Sequence, residues 1–394
     1  MGLVFGTGYI TAKSGTNLNV AVLDNSGFFD KGSIERENQK DSSSVLSLVT
    51  TNPDSLAAKY AKMGYDGYVI IPAGINVEAS DKQNFTLYTS RTIGVDGARP
   101  VQTKLNNIWS SQKNEKLGID ETKKIILEKN TINITPVNSN DKSSDSGIAT
   151  TIGYVSGFLI YFILILYGSQ VMMGVMEEKT NRIAEVIVSS VKPFQLMMGK
   201  IIGIGLVALT QFLIWIACIF IIYNVTSGSS SGGAANGIVG GIQQVFTTTN
   251  VPLILGCFVF YLLGGFFFYS SLYAAIGSAV NEDMREAQSL SFPITMLVII
   301  SIAMMSAAAK DPSGPIAVWG SIIPFSSPII MMTRIPFGVP GTVPYWQLAL
   351  SMATLIAGFM LTTWFAGKIY RTGILMYGKK PSWKEMVKWA FRKN

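Results

Sequence analysis

The side chains able to do chemistry in this chain are few in kind and confined in place. Histidine is absent, which removes His-based catalytic triads, H-E-x-x-H metalloprotease sites and His-ligated zinc together. Cys218 and Cys257 both stand within apolar stretches, so the polar regions have no thiol for a disulfide or a Cys-rich metal site. Gly373-Ile-Leu-Met-Tyr-Gly378-Lys379-Lys380 fits G-x-x-x-x-G-K. Lys380, however, stands where a Ser or Thr must hold Mg²⁺, and the stretch follows an apolar segment rather than a strand. Gly203-Ile-Gly205-Leu-Val-Ala208 has the outline of a dinucleotide fingerprint, but inside an apolar segment, where small residues serve helix packing. Neither catalysis nor ATP hydrolysis is expected in the chain itself.

What remains is a run of charges just past an apolar segment: Glu177-Glu178-Lys179-Thr180-Asn181-Arg182. Ile183, Val186, Ile187 and Ser190 follow at i, i+3, i+4, i+7, a short amphipathic helix with Asn181 as its N-cap. Pro193 then suits the first position of the next helix. Such an element can pass a push from an attached motor to two membrane helices, or rest passively on lipid headgroups. The pattern by itself favours rest.

The elements that must position these charges are membrane helices. Five stretches, at about 148–176, 201–223, 251–280, 292–309 and 345–367, contain no Asp, Glu, Lys or Arg, and a crossing takes about 20 residues. Pro293 stands at the start of the fourth, which is the shortest. Residues 1–145 hold 16 basic and 16 acidic residues, so the whole net charge of +7 belongs to the remainder. That is the footprint of basic cytoplasmic loops, not of a nucleic-acid-binding face. Loops 177–200 and 281–291 and the tail from Lys368 carry 13 basic residues; loops 224–250 and 310–344 carry only Lys310 and Arg334. The positive-inside rule then places the C-terminus in the cytoplasm and residues 1–147 outside a plasma membrane. An exported domain of that size calls for a preceding signal or helix, and MGLVFGTGYI is too short to be one. A first helix missing from this chain is the simplest expectation; an inverted topology with a cytoplasmic N-domain is the rival.

Residues 1–147 are expected to form an α/β domain. Strand-like runs lie at Leu18–Leu23, Tyr68–Ile71, Phe85–Tyr88 and Thr131–Thr135. Helical patterns lie at Asp54–Met63, Val101–Gln112 and Asp120–Lys129, with Asp30–Ser44 and Asn138–Ser146 as loop or linker. Residues 226–241, rich in Gly and Ser, form a connection on the outer side.

The run VMMGVMEEKTNRIAEVIVSSVKPFQLMMGKIIG (171–203) resembles the signature of the type-2 ABC exporter permeases, in particular their sodium-extrusion (NatB-type) branch. A Glu-Glu-Lys-x-x-Arg-Ile-x-Glu-Val stretch and a Ser-Ser-Val-x-Pro-Phe-x-Leu-x-x-Gly-Lys stretch stand there in register, and weaker likeness covers most of the chain. The resemblance implies a polytopic α-helical membrane protein with an extracytoplasmic α/β domain and one further N-terminal helix. It implies a permease subunit driven by a separate cytoplasmic ABC ATPase, which supplies the ATP and Mg²⁺ sites. It also turns the balance at 177–200 toward coupling, through Glu177, Glu178, Lys179, Arg182, Glu185, Pro193 and Lys200. By the same resemblance Glu282, Arg285 and Glu286 form a second cytoplasmic contact, although a solvated connector serves the pattern equally.

Seven prolines interrupt residues 310–344, and the apolar pieces between them, Ile316–Ile323 and Ile329–Met332, are too short to span. Such pieces make re-entrant or interfacial helices; in the resembled family they form the outer gate, which would include Pro324, Pro328 and Arg334. Arg334 is expected to snorkel to the membrane surface. The aromatics of the third span, Phe258 to Tyr273, suit ordinary helix packing better than a pathway for a hydrophobic cargo. Ser382 and Glu385 form a capping box that opens a basic helix, expected to lie on the cytoplasmic leaflet. Gly153-x-x-x-Gly157 and Gly199-x-x-x-Gly203 are candidate close-packing faces. Five or six helices rarely enclose a path alone, so a second permease half, a copy of this chain in a homodimer, is expected as partner beside the ATPase and membrane lipid. The cargo stays open between sodium and an amphipathic molecule, and a membrane sensor or mechanotransmitter acting through the outer domain is the alternative function.

Overall fold

The computed structural model describes residues 18–41, 43–73, 75, 83–117, 132–138, 146–181, 190–227, 250–280, 283–376 and 382–391. These fall into two compact units: residues 1–153 with 306–317 and 334–343, and residues 154–305 with 318–333 and 344–394.

The first unit is built on a five-stranded sheet, β1 (Leu18–Asp24), β2 (Ser44–Leu48), β3 (Gly67–Ile71), β4 (Gln83–Thr89) and β5 (Ile132–Asn138). The strand order is β2-β1-β3-β4-β5, and all neighbours are parallel except β3 and β4. The period-two alternation of β1 sends Leu18, Val20 and Val22 into one core and Ala21 and Leu23 into another. Helices α1 (Lys31–Lys40) and α3 (Val95–Leu117) cover the first face through Ile34, Val101, Leu105, Ile108 and Trp109. Helix α2 (Pro53–Lys59) covers the second through Leu56. The sheet is thus covered by helices on both faces, and β1 is accordingly apolar on both sides.

Two expectations for this unit need correction. Asp30–Ser44 is not a loop. Asp30 caps α1 by accepting from the amides of Gly32 and Ser33, and Asn38 both donates to the Leu46 carbonyl (2.8 Å) and accepts from its amide (3.0 Å). The helix hides only Ile34 as an apolar anchor, so it has almost no hydrophobic period to read. Strand β2, which lies at the sheet edge and alternates Ser with apolar residues, escaped the pattern search for a similar reason. The expected helix at Asp120–Lys129 falls outside the described residues.

Lys104 ties this corner down. Its side chain is buried, and its ammonium donates to the Asp41 carbonyl (2.6 Å), to the Ser44 carbonyl and to Asn38 Oδ1 (3.3 Å). Burial pulls its pKa below the ordinary lysine value, with Asp41 and Glu37 opposing through their charges. Toward the end of this unit, Arg91 pairs with Asp311 at 3.2 Å, the Gly94 amide donates to the Lys310 carbonyl (2.9 Å), and Thr342 donates to Thr92 (2.9 Å). Gly94 is required there: a Cβ on it would stand 1.7 Å from the Ala309 carbonyl oxygen. Asp311 is pushed toward protonation by burial and held back by Arg91.

The second unit is helical. Among the described residues five helices are long and apolar enough to cross a membrane: α4 (Ser146–Thr180), α5 (Pro193–Ser227), α6 (Val251–Ala279), α7 (Met284–Lys310) and α10 (Tyr345–Gly373). The chain is therefore a multi-pass membrane protein. At 35 residues, α4 is about 52 Å long, well beyond the ~30 Å of a bilayer's hydrocarbon. Its charged last turn can accordingly stand clear of the lipid core. Helix α7 starts earlier than expected, at Met284, and Pro293 lies within it rather than at its start; its first two turns are polar and carry no membrane signal.

Between α7 and α10 the chain makes two short helices, α8 (Pro315–Ile322) and α9 (Ser327–Arg334), matching the broken apolar pieces. Non-helical backbone at such a place needs every carbonyl satisfied from within. Tyr269 donates to the Phe325 carbonyl (2.7 Å), Thr354 to that of Ile322 (2.6 Å) and Ser326 to that of Gly320 (2.7 Å). A last helix, α11 (Trp383–Ala390), opens on Ser382, which accepts from the Glu385 amide.

Glu37 supplies a pH test of the sheet unit. Its carboxylate accepts from Lys40 (2.6 Å) and Asn107 (3.0 Å), linking α1 to α3, and these bonds hold its pKa below the ordinary 4.5. A depressed carboxylate pKa contributes stability that is complete above the unfolded value and lost as pH falls through the folded one. Glu37→Gln should cost about 1 kcal/mol at neutral pH. In thermal unfolding followed from pH 7 to 3, the gap to wild type should close below pH 4.5.

Candidate functional site

The charges singled out in the sequence converge at one end of the helical unit. Lys179 stands in the last turn of α4 with no exposure. Its ammonium donates to the carbonyls of Ser278 (2.8 Å) and Ala279 (3.4 Å) at the end of α6 and to that of Gly373 (2.8 Å) at the end of α10. The last four carbonyls of a helix have no intrahelical partner and carry its negative partial charge. One cation therefore serves carbonyls at the ends of two helices at once, sharing that of Gly373 with the Met376 amide (3.1 Å). The approach is close because a glycine stands at each of the two contacts that α6 makes, with α10 and with α4. A Cβ on Gly373 would lie 2.9 Å from the Ser278 carbonyl oxygen, and one on Gly277 would lie 2.5 Å from that of Met172 in α4. Glu286 stands half-buried on the first turn of α7.

One residue earlier, Glu178 pairs with Lys200 on α5 at 2.7 Å, and Lys200 also donates to the Gly174 carbonyl of α4 at 2.5 Å. This staples α4 to α5 across the connection that joins them. Pro193 takes the first position of α5, as its fixed φ and missing N–H predict, and the amides of Gln195 and Leu196 donate to the Lys192 carbonyl (2.9 and 3.2 Å). Glu178 Oε2 and the Tyr370 hydroxyl are buried without a hydrogen-bond partner among the described residues. Glu177 and Arg285 are exposed. Arg182, Glu185, the amphipathic stretch between Asn181 and Ser190, and Glu282 lie outside the described residues.

Thus the structure gathers Glu178, Lys179 and Lys200, leaves Glu177 and Arg285 on the surface, and adds partners the sequence did not reveal: the Gly174, Ser278 and Gly373 carbonyls. Gly373 was the first residue of the P-loop-like match. It is instead the last residue of a membrane helix, small so that Ser278 can press against it.

The expected gate residues have different neighbours. Pro324 and Pro328 rest on glycines: a Cβ on Gly358 would stand 2.7 Å from Pro324 Cβ, and one on Gly265 would stand 2.9 Å from Pro328 Cβ. Arg334 does not snorkel. It is fully buried, and its Nε donates to the Pro312 carbonyl at 2.7 Å, so the folded backbone rather than a headgroup receives it. Of the third-span aromatics, Tyr261, Phe266, Tyr269 and Tyr273 are buried, and the hydroxyls of Tyr261 and Tyr269 bond to Ser351 and Phe325, in keeping with packing. Gly157 is a contact point, with Met305 Sδ 2.6 Å from its would-be Cβ, whereas Gly199 and Gly203 meet nothing within 4 Å. The tail helix α11 packs partly against α10. Met386 and Ala390 are buried and Phe391 meets Phe365 of α10, with ring centroids 6.5 Å apart. Its apolar face is taken by protein.

The chain matches the family described as ABC-2 family transporter protein over residues 1–368 and belongs to that family. The family is one of transmembrane permease subunits, whose kind of partner is an ATPase subunit. The chain is 30% identical over 251 residues to the uncharacterized protein YhaP of Bacillus subtilis (strain 168), covering 63% of this chain and 57% of that protein. It is 28% identical over 246 residues to the uncharacterized protein MJ1024 of Methanocaldococcus jannaschii, covering 61% and 54%. The chain thus spans little more than half the length of these curated relatives. No solved structure matches it.

Lys179→Met should be the most damaging substitution at this end. It leaves the Ser278 carbonyl without its lysine donor and takes one of two donors from Gly373, which keeps the Met376 amide (3.1 Å), so a loss of about 1–3 kcal/mol is expected in thermal unfolding of the detergent-solubilised protein. Lys179→Arg should recover only part of the loss, because a planar fork cannot replace a compact ammonium. Glu178→Gln, which keeps a hydrogen-bond acceptor for Lys200, should cost about 1 kcal/mol or less.

Proposed function

We propose that this chain is the membrane-spanning permease subunit of an ATP-driven ABC exporter, and that its cytoplasmic ATPase acts on the connection between α4 and α5. The observation that carries this is the pair of ties at that connection. Lys200 and Glu178 bind α5 to α4, and Lys179 binds α4 to the ends of α6 and α10. A push delivered to residues 181–192 would therefore reach four membrane helices without passing through a flexible link.

In this scheme the partner subunit binds ATP and Mg²⁺ and closes on the loop. The tied helix ends rock together, and the pair α8–α9, with Pro324 and Pro328 seated on glycines of α10 and α6, opens on the outer side. A second permease half, a copy of this chain, completes the path. The basic ends face the cytoplasm and the sheet unit lies outside. The sodium-extrusion branch remains the assignment for the 171–203 run, with sodium as cargo; an amphipathic molecule is the other cargo class.

One observation favours a second function, a mechanotransmitter. The Arg91–Asp311, Gly94–Lys310 and Thr342–Thr92 contacts bind the sheet to segments flanking α8 and α9. ATP hydrolysis would then move the sheet unit rather than a solute.

Co-purification from the native host membrane tests the coupling. The charge reversal Glu177→Lys with Glu185→Lys leaves the Glu178–Lys200 pair in place. An ATPase subunit should accompany the wild type, and its recovery should fall about tenfold or more in the variant, as like-charge contacts at an interface do. Recovery of the same ATPase with both proteins would remove the coupling role from 177–185. Sodium-22 and fluorescent-amphiphile efflux from vesicles holding the complex then separate the cargo classes. ATP turnover with efflux of neither would favour the mechanotransmitter.

A further inference from the structure

Helices α5, α6 and α10 enclose a cavity of about 380 Å³. Its walls are Phe194, Met198 and Ile202 on α5, Phe267 on α6, and Phe359 and Trp364 on α10. It is open on one side, where among the described residues Phe194 is 47% exposed and Trp364 48%. One rim is rigid, because the Phe194 ring sits on Gly367, whose would-be Cβ lies 2.6 Å from Phe194 Cδ2. The cavity belongs to the first turns of α5 and the last turns of α10, the end of the bundle where the basic residues gather.

A cation stands at its edge. Lys368 Nζ lies 4.1 Å from the centroid of the Trp364 ring, so the wall itself holds an ammonium by cation–π attraction. Lys368 is exposed, as is Lys192 just before α5, and neither pairs with a carboxylate among the described residues. An apolar slot beside unpaired cations at the end of a membrane helix is complementary to one kind of molecule, an acyl chain attached to a negative headgroup.

We propose that this cavity is a binding site for an anionic phospholipid, with one acyl chain between α5 and α10 and the phosphate beside Lys368 and Lys192. The site rests on the membrane placement of the five helices and not on ATP coupling. A lipid seated there would brace the start of α5 against the end of α10, two helices that carry the ties described above.

Native mass spectrometry of the full chain, delipidated and then titrated with phosphatidylglycerol or phosphatidylcholine of the same acyl composition, tests the site. Wild type should retain one phosphatidylglycerol per chain about fivefold or more in preference to phosphatidylcholine, the effect of a single basic residue at a membrane surface. Lys368→Gln should lose the preference while still binding lipid, and Ile202→Trp, which fills the slot, should lose the bound lipid itself. Brominated phosphatidylglycerol should quench tryptophan fluorescence in wild type, and Trp364→Phe should remove that component, a check independent of how well Ile202→Trp folds. Equal retention of both lipids by wild type would overturn the proposal, as would quenching unchanged by Trp364→Phe. A retained molecule that is not a phospholipid, or a lipid-free dimer that buries the slot, would overturn it too.

Discussion

A membrane helix that ends among other helices rather than in water has a specific problem: its last carbonyls need donors, and its dipole needs a positive charge. In this chain the ends of α6 and α10 meet that need with the same side chain, the ammonium of Lys179. Much of the neighbouring arrangement follows from it. Gly277 and Gly373 leave no room for a side chain because α6 comes too close to α4 at the first and to α10 at the second. Glu178, forced to the next position round the helix, reaches Lys200 and so fixes where α5 begins its path beside α4. The charges of Glu178, Lys179 and Lys200 thus tie α4 to α5, α6 and α10.

The same accounting governs the short helices α8 and α9. Their backbone interrupts the regular helices, yet the carbonyls of Gly320, Ile322 and Phe325 receive donors from Ser326, Thr354 and Tyr269. The hydroxyls of the spans are there to complete a hydrogen-bond inventory, which explains why Tyr rather than Phe stands at 269. The two ends of the helical unit are therefore built by one rule with different chemistry: a cation for helix ends, hydroxyls for a turn.

The spans were legible in the sequence because hydropathy over about 20 residues is a strong, local signal. So were the capping box at Ser382, the strand β1 and the broken pair in the proline-rich stretch. The partners of Lys179 were not legible, since Ser278 and Gly373 lie 99 and 194 residues away along the chain and a carbonyl has no residue type to recognise. Arg334 was misjudged for a related reason: its partner is the backbone of Pro312, whereas the snorkelling rule considers only the membrane. Helix α1 and strand β2 were missed because Lys104, far along the chain, supplies the bonds that their own weak apolar pattern does not. Polar residues whose partners are backbone atoms are the common thread.

Everything proposed for transport depends on which side of the membrane the tied helix ends face. Single cysteines settle that directly. In a background with Cys218→Ser and Cys257→Ala, Asp54→Cys on the sheet unit and Ser190→Cys on the α4–α5 connection are both at exposed positions. With a membrane-impermeant maleimide, Asp54→Cys should label in intact cells and Ser190→Cys only after the membrane is opened. The opposite pattern would put the connection outside, beyond the reach of any cytoplasmic ATPase, and would contradict the permease mechanism at its root.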